Sequence, residues 1–406
     1  MTEQYYKIAL LFNANKVYDR QVVEGIGQYI QASQCMWDIF VEDEFIYHTD
    51  TINQLSIDGI IADFDDPKTV ELLQHTLIPT IAVGGSYKQA DFYPHFPYVA
   101  TDNMALVEMA LSHLQEKGLS QFAFYGLQVN THKHWSIERR DAFVELMEKN
   151  HYPIYLYEGV QVHAQNWLEE QQKLIVWLKS LPSHTGIIAV TDARARHLLQ
   201  ACEYSKIAVT DARARHLLQA CEYSKIAVPE ELCVVGIDNE ELIQYLSRMS
   251  LSSVEQGTRE IGYQAAKLLH KLLNGQKVSH TPILIPPITV HSRNSTDYRS
   301  LTDPLVIQAM HYIRHRACHR IKVEQVLDHL ETSRSNLEQR FKNEMNKTIH
   351  QVIHEEKISR AKNLLQQTDI SIQEIAEICG YPSIQYFYSV FKKEFEMTPK
   401  EFRLNC

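Results

Sequence analysis

No stretch of this 406-residue chain is long and apolar enough to cross a bilayer as a helix, which takes about 20 apolar residues. The longest apolar run near its start is IALLF, residues 8–12. No basic segment precedes that run and no small-residue cleavage site follows it, so no secretory leader is expected and the reading is cytoplasmic. Cysteine is sparse: Cys35, Cys202, Cys221, Cys233, Cys318, Cys379 and Cys406, with no C-x-x-C pair. That scatter excludes a disulfide framework and a zinc-finger spacing, leaving reduced, packed thiols. No G-x-G-x-x-G follows the first strand-like run, and G-x-x-x-x-G-K-[ST] is absent. Dinucleotide and nucleoside-triphosphate binding lose their best support, and no cofactor is expected.

What is present is ordinary globular material, 45% apolar and 22% charged, long enough for two or three domains. Its charge is uneven. From residue 301 onward 15 basic side chains meet 14 acidic ones, whereas the rest carries 25 against 36. An acidic body with a near-neutral tail rich in Arg and Lys is compatible with a nucleic-acid-binding tail.

The body alternates short apolar runs with amphipathic stretches. The runs are 7–12, 58–64, 79–85, 98–102, 121–126, 186–192 and 232–238. Between the first two, Val22, Val23, Ile26, Tyr29 and Ile30 recur at helical spacing. Strand and helix in alternation predict parallel sheets covered on both faces, with the ligand site at the strand carboxyl ends. Those ends hold Asn13, the Asp63/Asp65/Asp66 cluster, Asp102 and Asn103, Asp192, and Asp238, and WSIERR adds Trp135 and Arg139. Carboxylates accept, guanidinium donates, and an aromatic face covers a C–H surface, so the set suits a sugar. The bland alternative for each Asp and Asn is a helix N-cap. A second alternative is a sugar-modifying enzyme using Asp63, Asp65 and Asp66 as acid, base or metal ligands. No activated nucleophile accompanies them, so no catalytic residue is assigned.

This body resembles the effector domain of LacI-type regulators, through LLFNANKVYDRQVVEGI, TDNMALVEMALSHLQEKG, ERRDAF, AVTDARA, VVGIDNEE and LSSVEQGTREIGYQAAKLL. The resemblance implies a two-lobed, periplasmic-binding-protein-like fold. It places ligand-holding side chains at Arg139, Asp192 and Asp238, beside the candidates Asn13, Asp65 and Trp135. Ala142 stands where that family usually has Gly. No DNA-binding head is expected before the first strand.

The tail reads as helices throughout. Val323, Val326, Leu327 and Leu330 make one apolar stripe; Leu337, Phe341 and Met345 make the next. After a long helix, SIQEIAEICGYPSIQYFYSVFKKEFEMTPKEFR follows the AraC-type DNA-binding signature closely. The resemblance implies two helix-turn-helix units with recognition helices near 333–345 and 383–396, set in successive major-groove turns. Ser335, Asn336, Glu338 and Gln339 on the first, and Ile384, Gln385, Tyr386 and Ser389 on the second, point away from the apolar stripes. Such side chains suit base edges. Lys342, Lys392 and Lys393 suit phosphate. His311, His315 and His319 fall at i, i+4, i+8 on a predicted helix, but the arginines between them would repel a cation, so no metal is assigned.

The expected organisation is an α/β two-lobed effector and dimerisation domain over 1–290, a linker over 291–303, and an all-α AraC-type double helix-turn-helix domain over 304–406. This pairing is similar to bacterial sugar-responsive transcription activators. The resemblance implies D-xylose or a related pentose or hexose as ligand, double-stranded DNA with direct repeats, RNA polymerase as a partner, and a homodimer. In that picture sugar binding closes the lobes and repositions the paired DNA-binding domains.

One phrase remains. AVTDARARHLLQACEYSKI stands at 189–207 and again, unchanged, at 208–226. Nineteen residues rotate a continuing helix by about 100°, so the second apolar stripe misses the first. Identity at unconstrained positions such as Gln200/Gln219 marks a tandem duplication or an assembly error rather than a repeat fold. Asp192 and Asp211 compete for one position. Asp192 is preferred because it follows the full strand GIIAV, and the spare copy is expected to bulge from the second lobe.

Overall fold

The computed structural model describes residues 5–41, 56–128, 133–203, 226–247, 249–297, 301 and 303–404. They form two compact units, Met1–Tyr298 and Arg299–Cys406.

In the first unit, β1 (Tyr6–Leu11), β2 (Trp37–Phe40), β3 (Gly59–Asp63), β4 (Thr80–Gly85) and β5 (Tyr98–Thr101) belong to one sheet. β11 (Ile283–Ile285) returns to it, giving the all-parallel order β11-β5-β4-β3-β1-β2. β6 (Gln121–Leu127), β7 (Tyr155–Gly159), β8 (Thr185–Ala189), β9 (Leu232–Ile237) and β10 (Ser252–Glu255) form the second sheet, edged by an antiparallel β12 (Thr289–His291). Its order is β12-β10-β9-β8-β6-β7. The chain therefore crosses between lobes three times, after β5, after β10 and after β11. The crossings are pinned together: Asp102 N–H donates to Ile285 O at 3.0 Å and Ile288 N–H to Glu255 O at 2.9 Å.

The seven apolar runs all become strands, and their residues are buried because helices cover both sheet faces. In the first lobe Val17–Ser33 lies tightly on Thr258–Leu273. A Cβ on Gly25 would sit 1.9 Å from Arg259 O, and one on Gly262 1.9 Å from Val22 O. Backbones this close leave room only for hydrogen at both positions.

The second unit packs helices Pro304–Arg316, Val323–His329, Arg334–Met345, Ile349–Gln367, Ile372–Ile378, Ile384–Phe395 and Pro399–Leu404. Polar caps set their starts: Ser333, Thr348, Ser371 and Ser383 each accept an N–H from the first turn. Leu337 and Phe341, then Phe387 and Phe391, are fully buried, as the stripes require.

Two expectations are corrected. The linker is not as long as 291–303: Asn294–Thr296 forms a 3-10 turn whose Ser295 and Thr296 are fully buried in the second lobe. The three histidines do not share one helix, because it ends at Arg316 and His319 sits in the following 3-10 turn.

Of the doubled phrase, the described residues are 189–203 of the first copy and Ile226, the last residue of the second. The first copy ends β8 and supplies helix Asp192–Glu203, with Ala195, Leu198, Leu199 and Cys202 in the lobe core. The chain rejoins that core at Ile226 and Val228. Asp211 and Cys221 lie outside the described residues. Deleting one copy leaves both core contacts and shortens the connection 204–225 to three residues. Closing a connection of three residues costs about 2 kcal/mol less than closing one of 22 residues would if those residues were unstructured. A calorimetric melting point a few degrees higher for the effector unit is expected; an unchanged or lower one would show that the second copy packs.

Candidate functional site

Arg139 is a buried cation on which side chains of both lobes of the first unit bear. It lies on helix His134–Lys149 of the second lobe and is only 4% exposed. Its Nε donates to Asn103 Oδ1 at 3.0 Å and one terminal nitrogen to Val190 O at 2.7 Å. Its guanidinium stacks 4.9 Å from the Trp135 ring centroid. Burial lowers its pKa, opposed by the charges of Asp238, Asp65 and Asp192. Carboxylates from both lobes thus bear on one buried cation: Asp65 after β3, Asp192 after β8 and Asp238 after β9.

Asp65 accepts the Gly85 N–H at 2.9 Å through Oδ2. Burial, with Asp63 beside it, raises its pKa to about 7. A Cβ on Gly84 would lie 3.0 Å from Asp65 Oδ1, and one on Gly85 2.8 Å from Trp135 Cβ and 3.1 Å from Asn103 Nδ2. The two glycines hold open a small cradle between Asp65, Asn103 and Trp135. On the far side Gln256 Nε2 donates to Asp238 Oδ1 at 2.6 Å, and burial raises Asp238 to about 6. Three buried polar atoms here have no hydrogen-bond partner among the described residues: Asp65 Oδ1, Asn103 Nδ2 and Gln256 Oε1. Leaving such atoms unpaired costs about 1–3 kcal/mol each, and a ligand rich in hydroxyl groups both donates and accepts.

The other strand-end groups separate by role. Asp66 and Asp102 are helix caps, accepting Lys68 N–H at 3.0 Å and Ala105 N–H at 2.9 Å. Asp63 is ion-paired to Lys16 Nζ at 2.7 Å. The Asp63/Asp65/Asp66 cluster is therefore divided among three tasks and is no catalytic set. Asn13 turns its Oδ1 back to the Asn15 N–H at 3.0 Å, which closes its own loop. Asp192 is fully buried; Ser253 Oγ donates to one oxygen at 2.6 Å and Glu240 N–H to the other at 2.8 Å. Gly236 makes room for it, since a Cβ there would sit 2.0 Å from Asp192 Oδ1. Burial and Asp238 raise its pKa to about 8. Asp192 braces the 238–240 loop from behind.

Asn103 and Gln256 carry two of the unpartnered atoms; Asn103 stood in the strand-end set without being singled out, and Gln256 was not in it. Asn103 was visible at a strand end, in TDN. Gln256 follows β10, a strand too short and polar to be read from its pattern.

In the second unit, Ser335, Asn336, Gln339 and Lys342 are exposed on Arg334–Met345, as are Gln385, Tyr386, Ser389, Lys392 and Lys393 on Ile384–Phe395; Ile384 is half-buried. Two of the expected readers already have internal partners. Asn336 accepts from Arg340 Nε and donates to Thr332 Oγ1, both at 3.0 Å. Half-buried Glu338 accepts the Ile349 N–H at 3.4 Å. Gly380, at φ +71°, makes the sharp turn between helices Ile372–Ile378 and Ile384–Phe395.

A two-lobed unit whose lobes share a set of buried polar groups, joined to a helix-turn-helix unit, defines a DNA-binding regulator of AraC type. Residues 7–104 match the XylR N-terminal domain. Residues 111–209 and 206–296 match the periplasmic binding protein-like domain in two segments that meet inside the doubled phrase, and 326–405 match a helix-turn-helix domain. The xylose operon regulatory protein of Haemophilus influenzae is 94% identical over 406 residues, covering all of both chains. That of Escherichia coli K12 is 55% identical over 403 residues, 99% of this chain and 98% of its own. A solved structure of the xylose-binding transcription activator xylR superposes with a TM-score of 0.87 at 54% identity over 99% of each chain. The chain belongs to the xylose operon regulatory protein family; its relatives are transcriptional regulators, not enzymes.

Asp65, Asp192 and Asp238 hold protons more tightly in the folded chain than at the ordinary carboxylate value of 3.8. Between about pH 4 and pH 8 the folded state binds more protons than the unfolded one, so this contribution to stability falls as pH rises. Asp65→Asn keeps an acceptor for the Gly85 N–H and removes the buried charge. Without sugar, it is expected to raise the melting point at pH 8 and to change it little at pH 5. Equal effects at both pH values in a thermal melt would overturn this assignment.

Proposed function

We propose that the cleft binds D-xylose and that the sugar controls DNA binding by the second unit. The observation that carries the sugar site is Arg139, buried among carboxylates of both lobes beside three polar atoms in want of partners. Asp65, Asn103, Arg139, Asp238 and Gln256 supply hydrogen bonds to the hydroxyls, and Trp135 covers a ring face. The choice of xylose over another pentose or hexose rests on the relatives' names. Asp65 belongs to one lobe and Arg139 and Asp238 to the other, so a ligand held by all three favours the closed arrangement of the lobes. That bias on a hinge is the switch. Asn13 and Asp192 act at one remove, through the loops they hold. The chain works as a homodimer in the cytoplasm, where closure repositions paired DNA-binding units on direct repeats and presents them to RNA polymerase.

Calorimetric titration with D-xylose, other pentoses and hexoses tests the sugar. Xylose is expected to bind best and to raise the melting point without being consumed. Arg139→Ala is expected to lower affinity at least about tenfold, since it leaves buried carboxylates without their cation. Preference for another sugar would move the specificity; turnover would restore the enzyme reading.

DNA binding is tested with a duplex selected by the full chain from a randomised pool. On the second recognition helix, Gln385→Ala is expected to cost about 1–3 kcal/mol and to relax one position. Lys392→Ala should weaken all sequences alike and lower the salt slope by about 1. Binding insensitive to salt would sink this reading.

A further inference from the structure

We propose that Arg293 couples the sugar cleft to the segment that leads into the DNA-binding unit; the inference rests on the functional reading above. At the cleft end, Asp238 and Asn239 occupy positive φ, 122° and 50°. Side chains other than Gly adopt such backbone only when their surroundings hold them there. Asp192 holds this loop through the Glu240 N–H, and Ser253 Oγ accepts the Asn239 N–H at 2.9 Å. The Asn239 side chain faces elsewhere: its Oδ1 accepts a guanidinium N–H of Arg293 at 2.7 Å. A second guanidinium nitrogen donates to Leu251 O at 2.7 Å. Asp192 and Glu255 are the charges that bear on this cation.

The main chain of Arg293 is gripped as firmly. Its N–H donates to Ser252 Oγ at 2.7 Å, and its carbonyl accepts from that hydroxyl at 3.0 Å. The next turn is nailed to the back of the lobe. Ser295 Oγ donates to Val234 O at 2.6 Å, and Thr296 Oγ1 meets His113 Nε2 at 2.8 Å. His113 lies on helix Asn103–Glu116, whose first residue holds Arg139. The first unit ends at Tyr298, so the chain leaves it directly after this turn. One residue thus reads the loop that carries Asp238 with its side chain and fixes the exit segment with its backbone. A shift of Asp238 on ligand binding reaches the exit through the Asn239–Arg293 bond. Arg293 is a positioning residue and takes no part in holding the sugar.

The test is the factor by which saturating D-xylose changes affinity of the full-length chain for the selected duplex, a quantity that linkage makes equal to the effect of the duplex on xylose affinity. Asn239→Gly suits the positive φ and removes only the acceptor. Arg293→Ala removes the donor, and Arg293→Lys keeps the charge without the fork. Both Asn239→Gly and Arg293→Ala are expected to lower the coupling factor at least about fivefold while xylose affinity, measured without DNA, stays within about threefold of wild type. The double variant should be no worse than either single one, and Arg293→Lys should restore part of the coupling. An unchanged coupling factor, additive losses, or a parallel fall in xylose affinity would overturn the proposal. A wild-type factor of 1 would instead overturn the functional reading beneath it.

Discussion

A guanidinium that is 4% exposed cannot be stabilised by bulk water, so the protein around Arg139 has to hold its charge. A buried charge left wholly unpaired is costly, so Arg139 is balanced by several acids at once, and neutralising one of them does not leave it alone. Asn103 and the Val190 carbonyl fix the side chain, and Trp135 covers its face. The carboxylates that balance it come from both lobes. Asp65 is set by Gly85, whose missing side chain also admits Trp135. Asp238 is set by Gln256, and its loop by Asp192. The raised carboxylate pKa values belong to the same arrangement: several acids and one base share a dry space.

Much of this frame was legible because parallel strands buried on both faces must be apolar throughout. All seven runs read as strands are strands. The five that were missed fail that condition. β2, β7, β11 and β12 lie at sheet edges, where exposure relaxes the demand for apolar residues, and β10 spells SSVE. Ser252 and Ser253 are fully buried there because their hydroxyls bind Arg293, Thr296 and Asp192. A strand whose interior is polar by design has no hydrophobic signature. Gln256, directly after it, was hidden for the same reason.

The Asp residues show where composition stops informing. Asp65, Asp66, Asp102, Asp192 and Asp238 all stand at strand ends, and a sequence weighs them alike. The structure makes caps of two, a brace of one, and leaves Asp65 and Asp238 to flank Arg139. The caps are made by neighbours two and three residues on, whereas Asp65, Asp192 and Asp238 are set by contacts distant in sequence, such as Asp192 with Ser253. The helical unit is the reverse case. Its caps and stripes are local, so its elements were readable, while the internal bonds of Asn336 and Glu338 depend on neighbouring turns.

The doubled phrase yields to the same physics. A lobe built of strand–helix units has room for another unit only if a strand comes with it. Asp211 follows only KIAV, whereas Asp192 follows GIIAV, whose first four residues end β8. The sheet already pairs β8 directly with β9, from Thr185 with Leu232 to Ile188 with Val235, which leaves no gap between them for an added strand. Helix Asp192–Glu203 already fills the core with Leu198, Leu199 and Cys202, and Ile226 closes it. Both the sheet and the core are therefore complete with one copy. The bond network reaches the same answer from the cleft side: Asp192 is held by Ser253 and the Glu240 N–H, and Gly236 leaves space for a single carboxylate there. The bracing position behind Asp238 is filled by Asp192.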